Sequence, residues 1–198
     1  MVDTRILVGG KIRESGMPPE EFWLSCFDVE RILDVMRIDS ELRDAADFAC
    51  GYGTFTIPAA QRIRGIMFAL DIDPQMIRTV DEKSSGLKLA NTKSTVRDLL
   101  HDGSGLENDS VDYVMLFNTL HVEDPLILLR EAFRVLTQGG RVGIIHWIRD
   151  PNTPRGPPLE IRPTVEQCIN WCLQAGFAAG SDMSVDLKPY HFGFLMRK

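Results

Sequence analysis

Cysteine is scarce in this 198-residue chain, which has Cys26, Cys50, Cys168 and Cys172 and no Cys-x-x-Cys pair among them. The four histidines are scattered, so the ligand set of a metal centre is missing and no metal is expected. The thiols read as reduced and buried or half-buried. No run of about 18 apolar residues occurs, which argues against a membrane-spanning helix and against a membrane partner. The first residues are charged and lack the apolar core of a signal peptide, so the cytoplasm is the expected location. A formal net charge of −6, with no basic run carrying interleaved aromatics, argues against nucleic acid as a partner. Internal repeats and low-complexity tracts are also absent, and nothing in the sequence fixes an oligomeric state.

The length suits one domain with its own core. Residues 1–16 are polar, glycine-containing and weakly patterned, as in a loose arm or a flap. Pro18, Pro19, Glu20 and Glu21 suit the first turn of a short helix through Phe22, Trp23 and Phe27, where N–H groups are unpaired and the dipole end is positive. Asp28 caps a second helix whose Val29, Ile32, Leu33 and Met36 share one face. From residue 45 the chain alternates between strand and helix. Strands are predicted over 45–50, 66–71, 93–96, 111–118 and 141–149, and helices over 54–64 and 74–83. A further helix opens at Asp124 and Pro125, turns Leu126, Leu129, Phe133 and Leu136 inward, and stops at Gly139-Gly140. Thr164 and Gln167 form a capping box for a helix through Trp171 and Leu173. Two last strands, 184–187 and 191–196, are joined by a link too short for a parallel crossover. The expected fold is α/β: a doubly wound, mostly parallel, seven-stranded Rossmann-like sheet with an antiparallel C-terminal hairpin and extra N-terminal helices. Residues 1–40 are expected to form a helical lid and 41–198 the main domain.

In such a sheet, ligands sit beyond the carboxyl ends of the strands. The first strand-to-helix turn is Asp47-Phe48-Ala49-Cys50-Gly51-Tyr52-Gly53-Thr54, where glycines allow a tight turn and a close ligand. Asp71 ends the second strand, where a carboxylate can accept from ribose hydroxyls, and Asp98 follows the third, where it can accept from an adenine amino group. Each piece alone reads as an ordinary turn or helix cap, as Asp73 before Pro74 does; the order of all three on one edge points to an adenine-containing cofactor.

These residues, with Phe68-Ala69-Leu70-Asp71-Ile72-Asp73-Pro74-Gln75-Met76, Ser110-Val111-Asp112-Tyr113-Val114, Leu120-His121-Val122-Glu123-Asp124-Pro125 and Glu131-Ala132-Phe133-Arg134-Val135-Leu136-Thr137-Gln138-Gly139-Gly140, resemble the class I S-adenosylmethionine-dependent methyltransferases over roughly residues 40 to 198. The resemblance implies S-adenosylmethionine as cofactor and S-adenosylhomocysteine as product. It places Asp47 near the amino group, and Ala49, Cys50, Gly51, Tyr52 and Gly53 around the methionine part. Asp71 would hold the ribose, with Ile72 and Met76 beside it, and Asp98 with Leu99 the adenine. Asn118 would lie near the methyl donor. Ala49 replaces the first loop glycine, and Thr137-Gln138 replaces a common Lys-Pro. A nicotinamide-dependent oxidoreductase is the nearest rival, and its fingerprint expects glycine where Thr56 stands. A non-catalytic module or sensor that binds the same cofactor is the other alternative.

Methyl transfer from a sulfonium chiefly needs alignment and a dry site, with a base only when the acceptor must lose a proton. His121 and His146 are the candidate bases; the plain alternative for each is a core histidine. The proline-rich loop after the fifth strand carries Arg149, Arg155 and Arg162, which suit an anionic acceptor or, equally, a stiff solvated loop. Trp23 offers an aromatic face to a sulfonium, or simple helix packing. With no dedicated acceptor domain, a small-molecule acceptor is expected.

Overall fold

The computed structural model describes residues 7–8, 11–12, 17–179, 185–187 and 189–198. Strands β1 (Leu7–Val8) and β2 (Lys11–Ile12) pair antiparallel. The rest of 1–16, where an arm or flap is expected, lies outside the described residues, as does Ser184 of the expected penultimate strand. Helices α1 (Glu20–Leu24) and α2 (Val29–Val35) follow. The Asp28 carboxylate caps α2 by accepting from the Arg31 amide.

The alternating part runs β3 (Ala45–Phe48), α3 (Thr56–Arg62), β4 (Met67–Asp71), α4 (Pro74–Gly86), β5 (Thr92–Val96), β6 (Val111–Phe117), α5 (Pro125–Val135) and β7 (Leu136–Trp147). Helix α6 (Val165–Gln174), with its capping box between Thr164 and Gln167, leads to β8 (Ala178–Ala179), β9 (Val185–Leu187) and β10 (His191–Arg197). The sheet order is β5-β4-β3-β6-β7-β10-β8, with β9 also on β10. Strands β3 to β7 pair parallel, and β10 pairs antiparallel with β7, β8 and β9. Since β7 occupies one edge of β10, β8 and β9 share the other; they fill a seventh sheet position in two pieces.

Side chains alternate across the sheet and feed two cores. Val114 and Leu116 of β6 meet Leu128, Leu129 and Ala132 of α5 and Cys168 and Cys172 of α6. Tyr113, Met115 and Phe117 face the other way, onto Ile32 and Leu33 of α2 and Ala59 and Ala60 of α3. All four thiols are unpaired; Cys50, Cys168 and Cys172 are buried. Among the described residues no group of metal-ligating side chains occurs, and no helix is long and apolar enough to cross a membrane.

One boundary differs from expectation. Helix α5 ends at Val135, and β7 begins at Leu136, well before residue 141. The inward face of α5 is Pro125, Leu128, Leu129, Ala132 and Val135, while Leu126 and Phe133 are half-buried. The amides of Asp109 and Ser110 claim the carbonyls of Arg134 and Val135, and Leu136 pairs with Val111, so the sheet captures the chain where its apolar spacing still reads as helix. Gly139-Gly140 lies inside the strand, with the Gly139 amide donating to the Lys198 carbonyl.

Candidate active site

The chain runs from β3 outward to β5 and then returns to β6 on the other side of β3, so the strand order switches between β3 and β6. The loops beyond β3 and β6 diverge there and leave a crevice. It holds a cavity of about 390 Å³, within the ~300–1,000 Å³ of small-molecule sites.

The β3 turn is built from left-handed residues: φ is 64° at Ala49, 53° at Gly51 and 74° at Gly53. The left-handed φ of Gly51 suits glycine, and a Cβ there would stand 3.1 Å from the Met17 Cε, so the N-terminal segment lies close over the turn. The Gly51 amide donates to Asp71 Oδ2 at 2.8 Å, and the Asp73 amide to Oδ1 at 2.9 Å. Asp71 thereby ties the β3 turn to the β4 turn. Asp47 is buried and accepts from the Thr56 hydroxyl at 2.7 Å. Burial, only partly offset by that hydrogen bond, lifts its carboxyl to about 7, and the nearby Asp71 charge pushes the same way. Asp98 Oδ1 accepts from the amides of Leu100 and His101, which shapes the turn after β5.

Several buried polar atoms on the cavity wall have no partner among the described residues: both amide atoms of Asn118, the hydroxyls of Thr54 and Thr119, and Nε of Arg97. Buried polar groups are ordinarily satisfied, so these donors and acceptors fit a polar ligand. Asn118 is held there in a left-handed conformation, φ 60°, with its backbone N–H donating to the Ile145 carbonyl while its side-chain amide is the unpartnered group.

The wall divides by origin. Asp47, Ala49, Cys50, Gly51, Asp71 and Ile72 come from the ends of β3 and β4, and Asp98 and Leu99 from beyond β5. The lining also includes an aromatic set, with Phe55 against Phe117 at 5.0 Å between centroids and Trp23 against Trp147 at 6.3 Å, together with His121 and Arg155. Of the residues singled out in the sequence, Tyr52, Gly53, Met76, His146, Arg149 and Arg162 do not line the cavity. A Cβ on Gly53 would press on Val80 and Ile57, so this glycine serves the packing of α3 on α4. Tyr52 donates its hydroxyl to the Pro18 carbonyl at 3.0 Å. Met76 is buried in α4. Arg149 donates to the Leu159 carbonyl.

Arg162 is buried, and its guanidinium donates to the carbonyls of Pro157, Ile148, Asp150 and Arg155 and to the Thr153 hydroxyl. It also stands over the Trp147 ring, 5.9 Å from its centroid. A Cβ on Gly156 would meet both Arg162 and Trp147, so that glycine lets the loop close over them. Arg162 therefore moulds the loop that roofs the cavity, with Pro157 and Pro158 on the wall. His146 is fully buried on β7, behind His121. Residues that sequence reasoning missed include Arg97, Thr119, Phe117 and Trp147; their positions at strand ends were the available signal.

Residues 45–140 match the methyltransferase domain family. A demethylmenaquinone methyltransferase of Geobacillus sp. is 29% identical over 106 residues, 50% of this chain and 43% of that protein. The chain thus spans less than half the length of that relative. A solved S-adenosylmethionine-dependent methyltransferase from Aquifex aeolicus superposes with a TM-score of 0.78 at 24% identity, covering 90% of this chain and 93% of that one. A geranyl diphosphate C-methyltransferase from Streptomyces coelicolor, solved with S-adenosyl-L-homocysteine, gives 0.70 at 13% identity, covering 85% and 76%. The chain thus has the fold of solved S-adenosylmethionine-dependent methyltransferases, and residues 45–140 are similar to the methyltransferase domain family.

Proposed function

We propose that this chain transfers a methyl group from S-adenosylmethionine to a small, flat, largely apolar acceptor by in-line displacement. The observation that carries this reading is the mixed lining of one cavity: acidic and backbone groups from the ends of β3, β4 and β5 share it with the aromatic rings of Trp23, Phe55, Phe117 and Trp147. Asp47 would accept from the cofactor's amino group, Asp71 from the ribose and Asp98 from the adenine, with Ile72 and Leu99 as apolar flanks. The orphaned amide of Asn118 suits the polar end of the cofactor. When bound, S-adenosylmethionine supplies a methyl group already activated on a sulfonium. The protein then has to align the partners and exclude water. Aromatic faces suit both a flat acceptor ring and the sulfonium cation.

The name of the Geobacillus relative, a demethylmenaquinone methyltransferase, fits an aromatic, quinone-type acceptor. Of the three arginines that suit an anionic acceptor, Arg155 alone lines the cavity, so an apolar ring is the stronger recognition feature. The proposed lid is narrower than residues 1–40. Helix α2 buries Ile32 and Leu33 in the domain core, whereas Met17, Pro18 and Trp23 lie on the cavity. Lys83 straps this segment down by bonding to both the Glu20 carboxylate and the Tyr52 carbonyl.

Calorimetric titration with S-adenosylmethionine, S-adenosylhomocysteine, NAD and NADP tests the cofactor, and transfer of labelled methyl to reduced 1,4-naphthoquinone tests the acceptor class. Binding of the first two ligands alone, with transfer, is the expected outcome. Binding of a dinucleotide instead would overturn the reading, and cofactor binding with no transfer to any small molecule would favour a sensor.

A further inference from the structure

His121 and His146 are 25 residues apart in sequence, yet His121 Nδ1 lies 3.2 Å from His146 Nε2. The parallel register of β6 and β7, which sets Phe117 against Ile145, brings His121, just past the end of β6, beside His146 near the end of β7. The rings meet edge to face, with centroids 5.4 Å apart. His146 Nδ1 lies 3.3 Å from the Trp147 carbonyl oxygen.

The polarity of this chain of bonds follows from its fixed end. A carbonyl oxygen can only accept, so Nδ1 of His146 carries its hydrogen and Nε2 holds the lone pair. Nδ1 of His121 must then donate to that lone pair, which leaves the lone pair of His121 on Nε2, across the ring from the contact. His121 lines the cavity and His146 does not. Burial, with His121, His191 and Arg162 nearby, disfavours protonation of His146.

We propose that His121 is the general base of the transfer and His146 the positioning residue that fixes its tautomer, so that the acceptor is a hydroxyl-bearing aromatic ring. This rests on the methyl-transfer reading above. The O–H bond of the acceptor breaks and its proton moves to Nε2 of His121. The electron pair left on oxygen forms the new bond to the methyl carbon, while the S–CH₃ bond breaks and its pair stays on sulfur. The positive charge passes from sulfonium to imidazolium, where the Nδ1–H to His146 bond holds it.

The test uses the purified chain, labelled S-adenosylmethionine and reduced 1,4-naphthoquinone, with S-adenosylhomocysteine binding measured on every variant. His121→Ala is expected to lower kcat by about 10²–10⁴-fold, with S-adenosylhomocysteine affinity within about twofold of the parent and partial rescue by added imidazole. His146→Gln keeps an acceptor oxygen near the place of Nε2 and should retain kcat within about tenfold; His146→Leu should lose it as His121→Ala does. Thermal stability should run the other way, because leucine suits a buried site and glutamine does not. That opposition separates positioning from packing. The proposal fails if His121→Ala keeps a third of the parental kcat, or if Gln and Leu at 146 lose kcat equally while binding is intact. It also fails if the parent binds S-adenosylhomocysteine but methylates no hydroxyaryl probe. Absence of S-adenosylhomocysteine binding by the parent would instead overturn the reading on which it rests.

Discussion

Ala49 occupies a left-handed conformation, φ 64°, at the start of the turn after β3, where its methyl group is strained against its own backbone. The gain from glycine is partly offset by the larger entropy of its unfolded chain. Ala49→Gly should therefore stabilise the protein by about 0.5–1 kcal/mol, read as a higher urea midpoint with an unchanged slope. The sequence shows the missing glycine but not the conformation that makes its absence costly. Asp71 carries more. Its carboxylate joins the Gly51 and Asp73 amides, so one side chain both shapes the turn and faces the cavity. Asp71→Ala should weaken S-adenosylhomocysteine binding by more than about 1.4 kcal/mol, a factor of ten. Calorimetry showing unchanged affinity would remove Asp71 from the cofactor site.

At the scale of elements, what is local in sequence is legible in it. Asp28, Asp73, Asp124 and Thr164 each cap a helix by accepting an amide two or three residues on, and those pairs can be read without knowing the fold. Strand order and register cannot. The junction of α5 and β7 is set by Asp109 and Ser110 on a neighbouring segment, and the His121–His146 contact by the pairing of two strands. Arg162 is the clearest case. Its charge and its proline-rich setting suggest a ligand contact, but the carbonyls it serves converge on it only once the 148–162 loop has folded. Arg162→Ala should accordingly loosen the roof of the cavity. The expected outcome is a loss of about 2 kcal/mol of stability and at least tenfold lower turnover, with S-adenosylhomocysteine affinity within about twofold. Equal losses of turnover and cofactor affinity would show that the loop also supports the β3–β5 side of the site.

Across the whole molecule, stability and the proposed cofactor binding meet at Asp47, at the end of β3, with its carboxyl lifted by burial to about 7 from an ordinary 3.8. Between these values the native state keeps a proton that the unfolded chain has released. Stability therefore falls as pH rises through this window, by at most about 1.4 kcal/mol per pH unit. Cofactor binding should run in the opposite direction. A cationic amino group beside Asp47 favours the carboxylate, so binding below pH 7 expels a proton, and affinity rises with pH by up to about tenfold per unit before levelling off. Isothermal calorimetry of S-adenosylhomocysteine at about pH 5.5, 6.5 and 7.5, in buffers of different ionisation enthalpy, counts that proton directly. Urea denaturation of the unliganded protein over the same range supplies the stability slope. Asp47→Asn should flatten both dependences. The same substitution should lower affinity at pH 7.5, where the parent carboxylate is charged. If affinity is independent of pH across this range, the amino group of the cofactor is held elsewhere, and the buried acid serves only to anchor Thr56 at the start of α3.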